Sequence, residues 1–387
     1  MDRLLENITN KFSELYNEDC LVVRSPGRIN IIGEHTDYND GFVLPAAIDK
    51  AIYIAISNRY DDAIHLYAQD YNASFTTNLN AVKRSEIEWA NYILGVVNEL
   101  QQSGFKLRGF NAVVSGDLPI GAGISSSAAL ECATVFALNE LNQLELSRLQ
   151  MAKITQKAEH HFAGVLCGIM DMFASLMGKK NHAIKLDCLS LEYEYVPLHL
   201  GDFTFLLFNT NVKHSLASSE YNTRRKQCEA GVALIHTHHA EIKSLRYATE
   251  AMLDKYVLPE NALIDKRCRF IVNENRRLLL ACEALQKNDL KTLGRYMFET
   301  HEGLRNEYEV SCVELDFLVD AVKNDDAVIG ARMMGGGFGG CTINLVHKEN
   351  VDAVISTISK KYEAAMKLPF SYHAVNIENG TEVISIL

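Results

Sequence analysis

The stretch Gly116-Asp117-Leu118-Pro119-Ile120-Gly121-Ala122-Gly123-Ile124-Ser125-Ser126-Ser127-Ala128-Ala129-Leu130-Glu131 constrains the chain more than any other. The apolar run Phe110 to Val114 leads into it and reads as a strand. Leu130, Val135, Leu138 and Leu141 lead out at the spacing of one buried helix face. Between them, Gly121 and Gly123 reach backbone angles closed to other residues, so main-chain N–H groups can converge on a bound group. The serines open the helix, where the first N–H groups lack partners and the dipole is positive. Such a junction is either a seat for an anion, phosphate above all, or a turn whose serines cap the helix. No Lys follows the last glycine, which excludes a Walker A motif, and the glycine spacing of a dinucleotide fold is missing.

A chain of 387 residues, 48% hydrophobic and 22% charged, has room for two or three ordinary globular domains. Its 38 basic and 49 acidic side chains leave a net charge of -11, which argues against nucleic acid or an anionic membrane as partner. An anionic ligand therefore needs a local site. The nine cysteines, at 20, 132, 167, 188, 228, 268, 282, 312 and 341, are odd in number and show no C-x-x-C spacing. That usage fits the reducing cytoplasm, with thiols as small core residues. Met1 to Asn17 is an amphipathic helix without the apolar core of a signal peptide. No apolar run approaches the roughly 20 residues needed to cross a bilayer, so a soluble protein is expected.

Strands are predicted at Leu21–Ser25, ending at Pro26, and at Phe42–Ile48, Ala51–Ser57, Ala63–Ala68 and Ala73–Thr77. Helices follow at Glu86–Gln102, Ser127–Leu144, Ser147–Phe162 and Asp171–Met177, then strands at His182–Asp187 and Phe203–Asn209. Ser219 to Lys323 reads as largely helical. The chain closes with strands Val328–Met334 and Cys341–Val346, helix Val351–Met366, and strands near His373 and Val383. Elements in blocks favour α+β over a doubly wound sheet. The boundary falls near residue 197, giving domains 1–197 and 198–387.

Three further clusters carry chemistry. Gly335-Gly336-Gly337-Phe338-Gly339-Gly340 holds five glycines, more than a hairpin needs, which points to bare backbone beside a ligand or another loop. A strand follows it, so it is a poor dinucleotide fingerprint. Glu34-His35-Thr36-Asp37 suits a polyol, because carboxylates accept two hydrogen bonds from adjacent hydroxyls; a metal site and a solvated loop remain open there. Asp171 sits in an apolar setting, Leu166 to Phe173, where a charge needs a partner or a task; capping the following helix is the plain alternative. Glu159-His160-His161 is a weak zinc pattern, since adjacent histidines point apart, and Glu159 alone suits Mg²⁺ bridged by phosphates.

Together these segments resemble the galactokinase branch of the GHMP small-molecule kinases. The resemblance rests on Gly27-Arg28-Ile29-Asn30-Ile31-Ile32-Gly33-Glu34-His35-Thr36-Asp37-Tyr38-Asn39-Asp40-Gly41, on the glycine–serine loop and on Met334 to Cys341. Cys167-Gly168-Ile169-Met170-Asp171 and Ser218-Ser219-Glu220-Tyr221 match as well, in order, from about residue 19 onward. It implies a two-domain α+β GHMP fold with the active site in the interdomain cleft. The implied reaction is ATP- and Mg²⁺-dependent phosphorylation of the C1 hydroxyl of α-D-galactose, the first committed step of galactose catabolism. Asp171 would be the catalytic base, with Arg28 beside the transferring group. Glu34 and His35 would meet the C6 end of the sugar, Asp37 C3 and C4, Tyr221 C4, and the Gly168 backbone the ring. Gly121, Ala122, Gly123, Ile124, Ser125, Ser126 and Ser127 would wrap the phosphates, with Ser127 and Glu159 on Mg²⁺. Trp89 and Tyr92 would line the adenine pocket. The implied partners are galactose and ATP, with no nucleic acid or membrane, and the chain is expected to be a cytoplasmic monomer. A non-catalytic galactose and ATP sensor, or a kinase for N-acetylgalactosamine or an arabinose-like sugar, are the competing readings.

Overall fold

A computed structural model describes residues 2–119, 123–212 and 217–386. Helix α1 (Asp2–Tyr16) is followed by strands β1 (Leu21–Asn30), β2 (Phe42–Val43), β3 (Pro45–Asn58), β4 (Ala63–Ala68) and β5 (Ala73–Asn78). Helix α2 (Glu88–Gln102), strand β6 (Phe110–Gly116) and helices α3 (Ser126–Asn142), α4 (Arg148–Ala158) and α5 (Met170–Met177) come next. Strands β7 (His182–Asp187), β8 (Tyr193–Pro197) and β9 (Phe203–Asn209) precede a run of helices: α6 (Ala217–His236), α7 (Glu250–Met252), α8 (Ala262–Gln286), α9 (Leu290–Asn306) and α10 (Val313–Val322). Strands β10 (Val328–Met333) and β11 (Cys341–His347), helix α11 (Val351–Met366), and strands β12 (Ser371–Val375) and β13 (Glu382–Ile386) complete the order.

The strands form a six-stranded sheet, β13-β1-β3-β6-β4-β5, a four-stranded sheet, β10-β11-β9-β12, and a three-stranded sheet, β2-β7-β8. Ile8 and Phe12 of α1 cover one face of the large sheet. Apolar faces of α2 to α5 cover the other, burying Ile93, Val97, Val135, Leu138 and Phe173 among Val23, Ile54 and Val114. A further core joins Ile29, Ile31, Ile32 and Leu44 to Phe205, Leu207, Ile343 and Leu278, so the first motif is gripped by the helical half. Val319, Val322, Ile358 and Tyr362 pack behind the four-stranded sheet. Among the described residues no helix is long and apolar enough to cross a membrane.

Two strand boundaries differ from expectation, because pairing with strands distant in sequence overrides the local pattern. β1 does not stop at Pro26 but runs on to Asn30, with a register shift between Pro26 and Arg28 against β3. A proline cannot donate to a ladder, and the bulge absorbs that loss. The two strands expected at 42–48 and 51–57 are largely one 14-residue strand, β3, paired with β1 and with β6. Its Asp49 and Lys50, polar enough to suggest a turn, are carried within the strand, and Asp49 N–H donates to Asn376 O at 2.9 Å. Pairing on both sides overrides local polarity. The expected helix 147–162 ends its regular part at Ala158 and continues as a π-helical turn, Glu159–Ala163.

Candidate active site

The bulge in β1 delivers Arg28 to the N-terminus of α3. Gly27 just before it has no room for a Cβ, which would lie 2.8 Å from Ile124 O, and Arg28 N–H donates to that same oxygen at 3.1 Å. The glycine–serine loop is thereby pinned on β1. Arg28 is buried, and its fork grips Asp171, Nε to Oδ1 at 2.8 Å and Nη2 to Oδ2 at 3.0 Å. Burial opposes the guanidinium charge, yet Asp171, Glu34 and Asp37 outweigh it and raise the Arg28 pKa. Ser125 takes a left-handed conformation (φ 59°) ahead of α3 and makes no capping bond. Its Oγ donates instead to Asp171 Oδ2. Strain of this kind at a non-glycine residue is held only where the surroundings impose it. Asp171 itself is not the cap of α5; Ile169 is, and Asp171 occupies the first turn, where the helix dipole favours negative charge.

The second wall comes from the segment after β1. Glu34 is 2% exposed, and its Oε1 accepts from the Gly335 N–H at 2.8 Å and from Arg332 Nη1 and Nη2 at 3.2 and 3.1 Å. His35, also left-handed at φ 63°, shares a hydrogen bond between Nδ1 and Tyr38 Oη at 2.7 Å. Burial, then the Arg224 charge, pushes His35 down to about 3, so its ring is neutral. Tyr221 of α6 packs on that ring at 5.3 Å. Asp37 Oδ1 accepts from the Tyr38 N–H at 3.0 Å. Burial and the nearby Asp171 charge push the Asp37 carboxyl up to about 7. Gly168 must be glycine here, since a Cβ would sit 2.0 Å from Asp37 Oδ2. The preceding carbonyl, Cys167 O, is held by Gln156 Nε2 at 3.2 Å and His160 Nε2 at 2.8 Å.

The third element is the π-helical turn after α4. Such turns add one residue to a helix and swing a side chain off its regular face. Here the turn brings Glu159 to the cavity, 7% exposed, while His160 and His161 point apart, the latter to Glu99 Oε1 at 2.7 Å. Burial, with the nearby Asp171 charge, pushes Glu159 up to about 7. Glu131, fully buried, is raised well above the usual carboxylate range by burial and by Glu159, a carboxyl facing a carboxylate.

These walls enclose a cavity of about 370 Å³. Arg28, Glu34, His35, Asp37, Gly123, Ile124, Ser125, Ser126, Ser127, Glu159, Gly168, Asp171 and Tyr221 all line it, with Gly335, Gly336 and Gly337 of the third motif. Gly335 approaches Gly123 so closely that a Cβ would meet Gly123 O at 3.2 Å.

Residues 10–58 match the family model described as galactokinase galactose-binding signature, 91–179 the GHMP kinases N terminal domain, and 281–364 the GHMP kinases C terminal domain. The chain is 42% identical to a galactokinase of Thermotoga neapolitana over 362 residues, covering 94% of this chain and 99% of the relative. A galactokinase of Fusobacterium nucleatum is 40% identical, with 97% and 99% covered. The chain belongs to the galactokinase family. The crystal structure of Lactococcus lactis galactokinase complexed with galactose superposes with a TM-score of 0.94 at 34% identity, covering 98% of this chain and all of that one. Mevalonate kinase of Methanococcus jannaschii, at 19% identity and a TM-score of 0.65, shares the GHMP fold over 93% of this chain and 99% of its own.

Not every residue named for this family joins the cavity. Gly121 and Ala122 lie outside the described residues. Trp89 and Tyr92 sit on α2, partly buried against the main core of the first half, and do not line the cavity. Ser127 and Glu159 present hard oxygen donors, and Glu159 Oε2 is buried without a hydrogen-bond partner. That pair fits Mg²⁺, which prefers carboxylate and hydroxyl oxygens alongside phosphate. Among the described residues no group of three or more His, Cys, Asp or Glu side chains could hold a metal ion by itself. Sequence reasoning missed Arg332 and Glu274, both fully buried and both bonded to the first motif. A lone arginine inside the apolar strand Val328-Ile329-Gly330-Ala331-Arg332-Met333 was the available signal.

Proposed function

We propose that this chain transfers the γ-phosphoryl group of ATP to the C1 hydroxyl of α-D-galactose, giving galactose 1-phosphate and ADP. The observation that carries the reading is the bidentate Arg28–Asp171 pair, set between the open N-terminus of α3 and the Glu34-His35-Asp37 wall. Phosphate belongs at the helix N-terminus, where unpaired N–H groups and the dipole favour it. The sugar belongs against the wall, with Glu34 and His35 toward C6, Asp37 toward C3 and C4, Tyr221 toward C4 and the Gly168 backbone against the ring. Asp171 then accepts the C1 proton as the hydroxyl attacks, and Arg28 offsets charge developing on the phosphoryl oxygens. Phosphoryl transfer passes through a loose transition state, so fixing the two reactants in line matters as much as proton removal.

Ser127 and Glu159 would hold Mg²⁺, which when bound neutralises charge across the phosphates. Gly121 to Ser127 would follow the phosphate chain, and Trp89 and Tyr92 would lie toward the adenine. The cofactor and nucleotide chemistry, the free state of all nine cysteines and the acidic surface together suit a monomer at work in the cytoplasm. Residues 1–197 and 198–387 would form the two halves, with β13 lent back to the first.

A sugar panel with ATP and Mg²⁺, reading ADP release and the position phosphorylated, tests this. Galactose is expected to give the highest kcat/KM, with phosphate on C1. Higher kcat/KM for N-acetylgalactosamine or an arabinose would replace the substrate, and galactose binding without ADP release would replace the enzyme with a sensor.

A further inference from the structure

Among the described residues, Arg332 is the largest of the fully buried side chains, with no solvent contact. A guanidinium in such a place must find acceptors for its five N–H groups. It finds them almost entirely in the first motif. Nε donates to Ile31 O at 2.9 Å and Nη2 to Asn30 O. Nη1 and Nη2 both reach Glu34 Oε1, and Nη1 also donates to Met333 O at 2.7 Å on its own strand. The Gly335 N–H adds a further donor to that same carboxylate oxygen.

This convergence is one-sided. Three N–H groups from β10 and the third motif occupy Oε1 of Glu34, while Oε2 accepts none from the described residues and Glu34 lines the cavity. The fork also holds the backbone carbonyls of Asn30 and Ile31, four and three residues ahead of Glu34, so one residue fixes both the chain leading to Glu34 and the tip of its side chain. We propose that Arg332 is a positioning residue for sugar specificity: it locks the Glu34 carboxylate so that Oε2 alone faces the primary hydroxyl at C6. The proposal rests on the reading above that Glu34 meets the C6 end of the sugar. A lysine keeps the charge but not the planar fork, and cannot serve the carbonyls and the carboxylate together.

The test compares galactose with 6-deoxygalactose, which lacks that hydroxyl. A site built to bond a hydroxyl rejects the analogue without it, so the wild-type chain should prefer galactose by roughly 100-fold or more in kcat/KM. Arg332→Lys is expected to raise the galactose KM about tenfold or more, with kcat and the 6-deoxygalactose KM each within about twofold. The preference for galactose then falls by the same factor of about ten. A purely structural role would weaken both sugars alike. Equal loss for both sugars, a fall in kcat alone, or no change overturns the proposal. Glu34→Gln separates the premise, because it should abolish the preference with Arg332 in place. If Glu34→Gln keeps the full C6 preference, or the wild-type chain shows no such preference to lose, the placement of Glu34 fails, whatever Arg332 does, and the proposal falls with it. Should Arg332→Lys not fold, Glu34→Asp decides. The shortened carboxylate stays with Arg332 and withdraws from the sugar, so the preference drops; full retention of the preference overturns the proposal.

Discussion

Asp171 and Asp37 lie in one cavity, yet their surroundings treat them differently. Asp171 has the Arg28 fork and the Ser125 hydroxyl, whereas Asp37 has one backbone N–H and burial beside another acid. Asp171→Asn keeps the shape but can neither accept the C1 proton nor pair its charge with Arg28. Turnover, followed by coupled ADP release, should fall by roughly 10²–10⁴-fold, while calorimetry still detects galactose binding. Near-normal turnover would remove Asp171 from the chemistry. For Asp37 the consequence is one of pH. Its folded carboxyl takes up a proton near 7, against about 3.9 in an unfolded chain. Between those values the folded chain holds the extra proton, so this residue makes stability fall as pH rises. Asp37→Asn should therefore raise the melting temperature of the sugar-free protein most at pH 8, less at pH 5.5, and not at all near pH 4. A gain independent of pH would show that Asp37 is not strained in the empty site.

At the scale of elements, the strand–loop–helix around Gly116 to Glu131 was legible because glycine, serine and apolar periodicity change together at its borders. Strand β7, strand β9 and helix α11 have the predicted limits for the same reason. What local pattern could not carry was long-range pairing. Pro26 and Asp49-Lys50 read as breaks, and only neighbours distant in sequence keep β1 and β3 continuous. β8, whose residues are mostly exposed, offered no apolar alternation to detect. The π-helical turn was equally hidden, since one extra residue leaves no compositional mark, yet it aims Glu159 at the first turn of α3. Ser127 and Glu159 are brought together by two elements that meet only in the folded chain. Ser127→Ala should raise the Mg²⁺ concentration for half-maximal velocity by about tenfold, read by magnesium titration at saturating ATP. An unchanged titration would take Ser127 out of the ion's surroundings.

Across the whole molecule, the cavity exists because the helical half closes on the first motif. Glu274 of α8 accepts from the Gly33 N–H at 2.9 Å and from the Thr300 hydroxyl, and pairs with Arg277. Asn275 beside it accepts from the Phe42 N–H at 2.9 Å. These are single polar residues on helices far away in sequence, so no motif announces them. Glu274→Ala leaves the buried Gly33 N–H without its partner and takes from Arg277 its nearer carboxylate, with only Glu299 remaining. It should lower the unfolding free energy by about 2–4 kcal/mol in urea titration and raise the galactose KM. A loss of stability within experimental error would mean the first motif is held by apolar packing alone.

β1, which carries Arg28, has β3 on one flank and β13 on the other, and Ser25 Oγ meets Thr381 Oγ1 at 2.8 Å across 356 positions. During translation the growing polypeptide must therefore keep one flank of that strand unpaired until nearly every other strand has emerged from the ribosome. An open strand edge is a template for wrong partners. Nascent chains of this protein should lean on chaperones for most of their synthesis, and messages cut short even slightly should yield aggregates rather than a weakened kinase.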